Sequence, residues 1–492
     1  MASFYVENFG CRATQADGAA IEQQFREHGL VRAAAAGDAG IVVLNTCAVT
    51  ASAEADARAA IRRIRRENPG CEVVVTGCYA QRAPQEIAAL PGVSFVVGNS
   101  HKHSLAQIAL GTTSERHGGK AGSFIPISSL NAAAGKVLGP RESVFFSDVS
   151  VSDIFVSDIF AHTELLAAPV FDSANERTRP NLKVQDGCNN RCSFCIIPSV
   201  RGRSRSLKQD EVLGQVNQLV EAGYREVVIS GINLGRWGHD LKSDAAWGGR
   251  TFDSVQERAR PPKLEDLVRA ILDHTSLEKL RISSVEPMDW SDSFISLMAE
   301  SSRIAKHAHV PMQSGSDAVL RRMHRRYRPW HYREKVEKIR AAMPTAAIGA
   351  DVMVGFPGET ESEFEETRSM IEELPFTYLH VFTFSARPGT LAVDMANQVP
   401  VQVARERNRV LRELAAEKKL AFMRSFVGHR LETITLSVVT ERPDGSWTEA
   451  LTDNYLKLRL KGRHEPNQWL HAKVLEAADG QLTGTYDPTH RC

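Results

Sequence analysis

Apolar positions fall into two rhythms along this chain. In the first, short apolar runs at 3–7, 41–44 and 72–75 have the length of buried strands, and the Ala/Arg-rich stretch 53–67 has helical spacing and stops at Asn68-Pro69-Gly70. Strands that alternate with helices imply a parallel sheet. The rhythm resumes at Asn181, where six strand candidates (182–185, 226–230, 279–285, 308–312, 348–354 and 378–384) are separated by helical segments and predict an open partial barrel. One of these helices, 208–222, is followed by Gly223, suited to the turn after a helix. After Pro400 an amphipathic helix over 401–426 carries Arg405, Arg407, Arg409, Arg412, Lys418, Lys419 and Arg424. The second rhythm is strand-like alternation at 432–439, 455–460 and 469–475, divided by Gly445, Gly462 and Gly480, which predicts a small all-β barrel.

Two stretches break these patterns. Residues 111–178 are rich in Gly, Ser and Ala and contain a direct repeat, Val151-Ser152-Asp153-Ile154-Phe155 followed by Val156-Ser157-Asp158-Ile159-Phe160, so they read as a linker or insertion with no visible chemistry. The polar stretch 238–262 reads as a surface insertion. The expected class is α/β: an amino-terminal parallel-sheet domain over 1–110, the linker over 111–178, a partial (β/α)6 barrel over 179–400, a linking helix over 401–426 and a small β-barrel over 427–490.

Composition adds limits. With 492 residues, 42% apolar and 24% charged, the chain suits a soluble protein of roughly three domains of about 150 residues. Sixty basic against fifty-nine acidic residues leave a net charge of +1, so a surface for a polyanion must be a local patch. The amino terminus lacks a basic lead with an apolar stretch, and no apolar run reaches about 18 residues; a cytoplasmic monomer without membrane association is expected. Eight cysteines are too sparse for a disulfide scaffold and point to metal ligation in a reducing compartment.

The densest chemistry is Cys188-Asn189-Asn190-Arg191-Cys192-Ser193-Phe194-Cys195, three thiols on one loop directly after a predicted strand. Thiolates select iron–sulfur clusters or zinc. A closed site needs a fourth local ligand, and no cysteine or histidine follows within thirty residues, so a cluster with one open iron is the better reading. In that reading the open iron is expected to chelate S-adenosylmethionine, whose sulfonium bond is cleaved to give a radical; a structural zinc loop completed from elsewhere is the alternative. Cys11, Cys47 and Cys78 are dispersed, but each follows a predicted strand, and in open α/β sheets ligands sit beyond the carboxyl ends of strands. Three structural core cysteines would look the same. Gly355, Gly358 and Glu359 form a strand-to-helix turn that permits close backbone approach to a ligand. Ser230, Gly231 and Asn233 end another strand and are expected, with Phe194, to line the cofactor pocket. Arg201, Arg203 and Arg205, and Arg321, Arg322, Arg325, Arg326 and Arg328, are candidates for phosphate contacts. Cys71, Cys492 and the histidines His101, His103, His307 and His309 read as incidental.

The three-cysteine loop matches the motif of the radical S-adenosylmethionine superfamily. Asn45-Thr46-Cys47-Ala48-Val49-Thr50 and Val75-Thr76-Gly77-Cys78-Tyr79-Ala80-Gln81 further resemble the amino-terminal domain of the methylthiotransferase family. So do Arg201-Gly202-Arg203-Ser204-Arg205-Ser206, Gln313-Ser314-Gly315-Ser316, Gly355-Phe356-Pro357-Gly358-Glu359-Thr360 and Ser385-Ala386-Arg387-Pro388-Gly389-Thr390. The resemblance implies two [4Fe-4S] clusters, one on Cys188, Cys192 and Cys195 and an auxiliary one on Cys11, Cys47 and Cys78, with a carboxyl-terminal RNA-binding barrel. It also implies a tRNA substrate, a flavodoxin- or ferredoxin-like electron donor and a sulfur donor. The residues around Cys47 and at 200–206 look like the branch acting on threonylcarbamoyladenosine; the alternatives are isopentenyladenosine in tRNA and a ribosomal-protein aspartate. Thr14 departs from the family's usual asparagine and puts the contacts beside the auxiliary cluster in question.

Overall fold

The computed structural model describes residues 2–111, 153–162, 165–166, 179–241, 260–478 and 480–488. The chain splits into two compact units. The first comprises Met1–Leu166, Cys195–Gly202 and Ala386–Val393; the second comprises Ala167–Phe194, Arg203–Ser385 and Asp394–Cys492.

In the first unit the strands are β1 (Ser3–Asn8), β2 (Val31–Arg32), β3 (Ile41–Thr46), β4 (Glu72–Gly77), β5 (Phe95–Val97) and β6 (Asp153–Phe155). They form one sheet in the order β2-β1-β3-β4-β5-β6, every neighbouring pair parallel. Ile41-Val42-Val43-Leu44 is buried throughout, as a central strand covered on both faces must be. Helices α1 (Arg12–Glu27), α2 (Ala51–Glu67) and α3 (Cys78–Arg82) follow β1, β3 and β4. Thr50 starts α2 by accepting the Ala53 N–H on its side chain.

This sheet reaches past residue 110. Within the repeat, the first copy supplies β6 at the edge of the sheet. The second holds a short 3₁₀ turn, Ile159–Ala161, capped by Asp158, which accepts the Phe160 N–H at 2.9 Å. The Asp-Ile-Phe of the first copy thus pairs with β5, while the Asp-Ile-Phe of the second opens a turn. The remainder of the expected 111–178 linker lies largely outside the described residues, as do 242–259 of the surface insertion.

The second unit carries six parallel strands of a partial barrel: β7 (Asn181–Asp186), β9 (Glu226–Gly231), β10 (Lys279–Ile282), β11 (His307–His309), β12 (Ala347–Val354) and β13 (Tyr378–Thr383). A two-residue strand, β8 (Arg205–Ser206), pairs antiparallel with β7. The hydrogen-bonded groups are β10-β9-β7-β8 and β11-β12-β13, joined by the single parallel bridges Leu280–Ile304 and Ser284–His309. β10 and β11 are shorter than the apolar runs suggested, since burial continues into loops that leave the ladder.

The helix Val401–Arg424 leads into a closed five-stranded barrel of β14 (Arg430–Arg442), β15 (Gly445–Thr452), β16 (Lys457–Lys461), β17 (Trp469–Ala478) and β18 (Gln481–Tyr486). The alternation missed β15 and β18, whose polar, small and Thr-rich sequences carry few apolar inward residues. The barrel docks on the amino ends of the core strands. Lys279 pairs with Glu432 at 2.6 Å, Arg281 donates to the Asp453 carbonyl at 2.9 Å, and Asn454 donates to the Thr345 carbonyl at 3.0 Å. No helix among the described residues is long and apolar enough to cross a membrane.

Candidate functional site

Strand register brings the dispersed cysteines to one edge. Asn8 pairs with Asn45, and Thr46 with Gly77, so β1, β3 and β4 end side by side. Cys11 caps α1, Cys47 follows β3 and Cys78 opens α3. Gly10, at φ +99°, lies so close to Cys47 that a Cβ there would stand 2.8 Å from its Sγ. Cys47 and Cys78 are buried while Cys11 is exposed. Burial, reinforced by the neighbouring Cys78 and Cys11, pushes the Cys47 thiol up to about 12. Thr14 fills the doubtful position: its hydroxyl lies 3.5 Å from Cys11 Sγ and its carbonyl accepts from Asn45 Nδ2 at 2.7 Å.

Beneath these thiols lies a buried ion network that the sequence did not reveal. Asp17 Oδ2 accepts from Lys102 Nζ and from Arg201 Nη2, both at 3.0 Å, and Lys102 also reaches Asn45 Oδ1 at 3.2 Å. Desolvation pulls the Lys102 ammonium below its ordinary range, with Asp17 opposing. Burial pushes the Cys47 thiol up by more than Arg201 pulls it down. Arg201 is no phosphate ligand: it is 2% exposed. Asn99 donates to Cys78 Sγ at 3.7 Å and to the Val200 carbonyl at 2.7 Å.

In the second unit β7 delivers the chain into Gly187, at φ +70°, and then Cys188. Gln185 sets this loop. Its Nε2 donates to the Asp186 and Gly187 carbonyls and to Ser204 Oγ at 2.8–2.9 Å, and its Oε1 accepts from the Asn233 N–H at 2.7 Å. A Cβ on Gly231 would lie 2.8 Å from that same Oε1. Cys188 Sγ accepts from the Asn190 N–H at 3.4 Å and from Asn233 Nδ2 at 3.5 Å, and burial pushes its thiol up. Cys192 Sγ accepts from Arg325 Nη1 at 3.1 Å, and Arg325 is ion-paired with Glu286. Arg325 is thus buried beside a thiol rather than offered to phosphate; Arg322 is paired with Glu363, and Arg321 and Arg328 with Asp317. Cys195 follows three residues after Cys192. The Phe194 ring meets Phe356 edge-on at 6.4 Å.

Ser230 Oγ and Asn233 Oδ1 are buried with no hydrogen-bond partner among the described residues, as expected for atoms that face a polar ligand. A polar cleft lined by Asn189, Asn190, Ser204, Asn233, Arg236 and Arg326 opens beside them. The turn at 355–359 is arranged differently from expectation. What approaches Gly355, at φ +74°, is Ala404 of the linking helix, only 2.5 Å from an added Cβ. Glu359 Oε2 accepts the Gly355 N–H at 2.6 Å and pairs with Arg407 at 2.7 Å. Gly358 donates its N–H to the Asn397 carbonyl at 2.8 Å.

A partial barrel whose first strand ends in a three-thiol loop is the architecture of radical S-adenosylmethionine enzymes, and the Radical SAM superfamily model matches residues 182–371. Residues 3–98 match the family described as uncharacterized protein family UPF0004. The chain is 35% identical over 479 residues, 97% of its own length and 94% of the relative's, to threonylcarbamoyladenosine tRNA methylthiotransferase MtaB of Bacillus subtilis strain 168. It is 32% identical to the protein of that name in Aquifex aeolicus, covering 93% and 97% of the two chains. To a tRNA-2-methylthio-N(6)-dimethylallyladenosine synthase of Nocardia farcinica it is 33% identical, over 95% and 82%. Among solved structures, the radical S-adenosylmethionine methyltransferase TsrM of Kitasatospora setae aligns with a TM-score of 0.49 and 14% identity, over 77% of this chain and 72% of that one. The chain belongs to the radical S-adenosylmethionine methylthiotransferase family, and with it to enzymes that use S-adenosylmethionine and iron–sulfur clusters.

Proposed function

We propose that this enzyme places a methylthio group on carbon 2 of threonylcarbamoyladenosine in tRNA, beside the anticodon. The observation that carries this reading is the convergence of Cys11, Cys47 and Cys78 on one sheet edge, in a chain that also holds the Cys188-Cys192-Cys195 loop. Methylthiolation needs two operations, breaking an inert carbon–hydrogen bond and delivering sulfur, and two thiol triads divide them. When bound, the cluster on the loop supplies the electron that cleaves S-adenosylmethionine, and the auxiliary cluster supplies the sulfur.

The chain's own part is to hold and orient. Cys188, Cys192 and Cys195 ligate one cluster, and Arg325 and Asn233 direct N–H donors at two of those sulfurs. Ser230, Gly231 and Asn233, with Phe194, line the cofactor pocket. Gly355 and Glu359 fasten the 355–359 turn to the linking helix, through Ala404 and Arg407. Cys11, Cys47 and Cys78 ligate the second cluster above the Lys102–Asp17–Arg201 network. The small barrel contacts the RNA. A flavodoxin- or ferredoxin-like reductant and a separate sulfur donor complete the cycle in the cytoplasm, with the enzyme as a monomer.

The branch assignment rests on Thr46-Cys47-Ala48-Val49-Thr50 and on residues 200–206. The 33% identity to a dimethylallyladenosine enzyme keeps that substrate as the competing reading. Mass spectrometry of tRNA nucleosides from a deletion strain separates them. The methylthio derivative of threonylcarbamoyladenosine disappears on deletion; loss of the dimethylallyl derivative instead moves the enzyme to the other branch, and loss of neither rejects tRNA as substrate.

A further inference from the structure

Three potential metal ligands that belong to neither cysteine group converge on one face of β11, β12 and β13: His309, Asp351 and His380. Asp351 is the direct register partner of His380 across β12 and β13. His309 pairs with Gly349, two residues before Asp351 and therefore on the same face. His309 Nε2 and His380 Nδ1 each lie 3.4 Å from Asp351 Oδ1, and all three ligand atoms fall within 4.8 Å of one another.

Against burial, both histidines attract the Asp351 carboxylate and hold it below its usual range, but the spacing is longer than a close ion pair needs. A charge-assisted hydrogen bond would draw nitrogen and oxygen to about 2.7–2.9 Å. The observed 3.4 Å instead matches the edge of a tetrahedron built on metal–ligand bonds of about 2.0–2.1 Å. In agreement, His309 Nε2 is buried without satisfying a hydrogen bond, on a residue only 8% exposed. The platform is rigid: the Met312 and Gln313 N–H groups both donate to the Asp351 carbonyl at 3.1 and 2.8 Å, and Tyr378 stacks at 6.0 Å on His309 and 5.4 Å from His380.

We propose that His309, Asp351 and His380 form a binding site for a divalent transition-metal cation, zinc by preference, with three protein ligands and a fourth position open. Two neutral imidazoles and one carboxylate form a borderline nitrogen–oxygen donor set with no thiolate, which suits zinc better than calcium or magnesium. Asp351 lies three residues before the end of β12, so the site sits about 10 Å below the strand end, in the wall of the partial barrel.

The test uses the full chain, first loaded with iron and sulfide, then equilibrated with Zn²⁺ and desalted. The expected result is about one zinc per chain by mass spectrometry, with a zinc-edge X-ray absorption spectrum showing only nitrogen and oxygen neighbours at about 2.0–2.1 Å and no sulfur at about 2.3 Å. His380→Ala, at an exposed position, loses the zinc while keeping its iron content, and circular dichroism checks that the fold is kept. Asp351→Asn weakens retention in the same direction. No retained zinc, zinc bound to sulfur, or zinc undiminished in His380→Ala each overturns the proposal. Because the readout is metal content and ligand type, none of these outcomes bears on methylthiolation.

Discussion

The two cysteine groups solve the same problem by opposite means. The loop group is local: its three thiols span Cys188 to Cys195, and loop geometry is set by one side chain, Gln185, that ties β7 to β9. The sheet-edge group is built by register, since Cys11, Cys47 and Cys78 meet only because three parallel strands end level. Their electrostatics differ accordingly. At the loop, one arginine donates directly to a thiol and is balanced by Glu286. At the edge, the cations lie beneath the thiols and are held by Asp17, so charge reaches the sulfurs through space. A motif written in contiguous sequence can move between folds, whereas one written in strand register is only as good as the sheet.

The comparison breaks most sharply at the cysteines themselves. Cys192→Ala is expected to end both cleavage of S-adenosylmethionine to 5′-deoxyadenosine and methylthiolation, whereas Cys47→Ala keeps cleavage and ends methylthiolation. Chromatography of the cleavage product and of tRNA nucleosides reads both, and equal loss of cleavage in the two variants would contradict the division of labour. Next in size is Asp17→Asn, which leaves Lys102 and Arg201 buried without their counter-ion. A loss of about 3–5 kcal/mol in denaturant unfolding of the first unit is expected, and a loss below about 1 kcal/mol, the surface-pair range, would show that water reaches the network.

The Cys47 thiol gives a pH test. Its folded value is raised to about 12 from 9.0, so in the metal-free chain at pH 8 its thiolate is about a thousandfold scarcer than that of an ordinary cysteine. The sign follows: burial favours the neutral thiol, so this group opposes folding as pH rises above 9 and not below it. Alkylation of Cys47, followed by peptide mass spectrometry, should climb about tenfold per pH unit and level off only near 12; a plateau near pH 9 would mean that the site opens. Smallest is Arg325→Ala, which removes the donor to Cys192 and should slow cofactor cleavage by about 10–100-fold, with little change in the iron held at the sheet edge.

Element type was largely legible in the chain, because burial on two faces leaves continuous apolar runs and burial on one leaves alternation. The loop triad was legible for the same reason that it is local. What escaped was whatever depends on packing between distant segments. Arg201 and Arg325 looked like phosphate ligands because arginine reads as surface charge until its partner is known, and Asp17 and Glu286 are 184 and 39 residues away. Gly355 looked like a ligand-facing glycine, yet the space it leaves is taken by Ala404. Nothing in the sequence showed that His309 meets Asp351 and His380, because these sit on two other strands.

The docking of the small barrel at the amino ends of the core strands makes the protein a ruler. The Cys188 loop lies beyond the carboxyl ends, and β12 alone, at 8 residues, spans about 26 Å. A free nucleoside is too short to touch both ends at once. On the proposed function, an RNA held by the small barrel while its base reaches the thiol loop has to span at least that distance, which a free nucleoside does not.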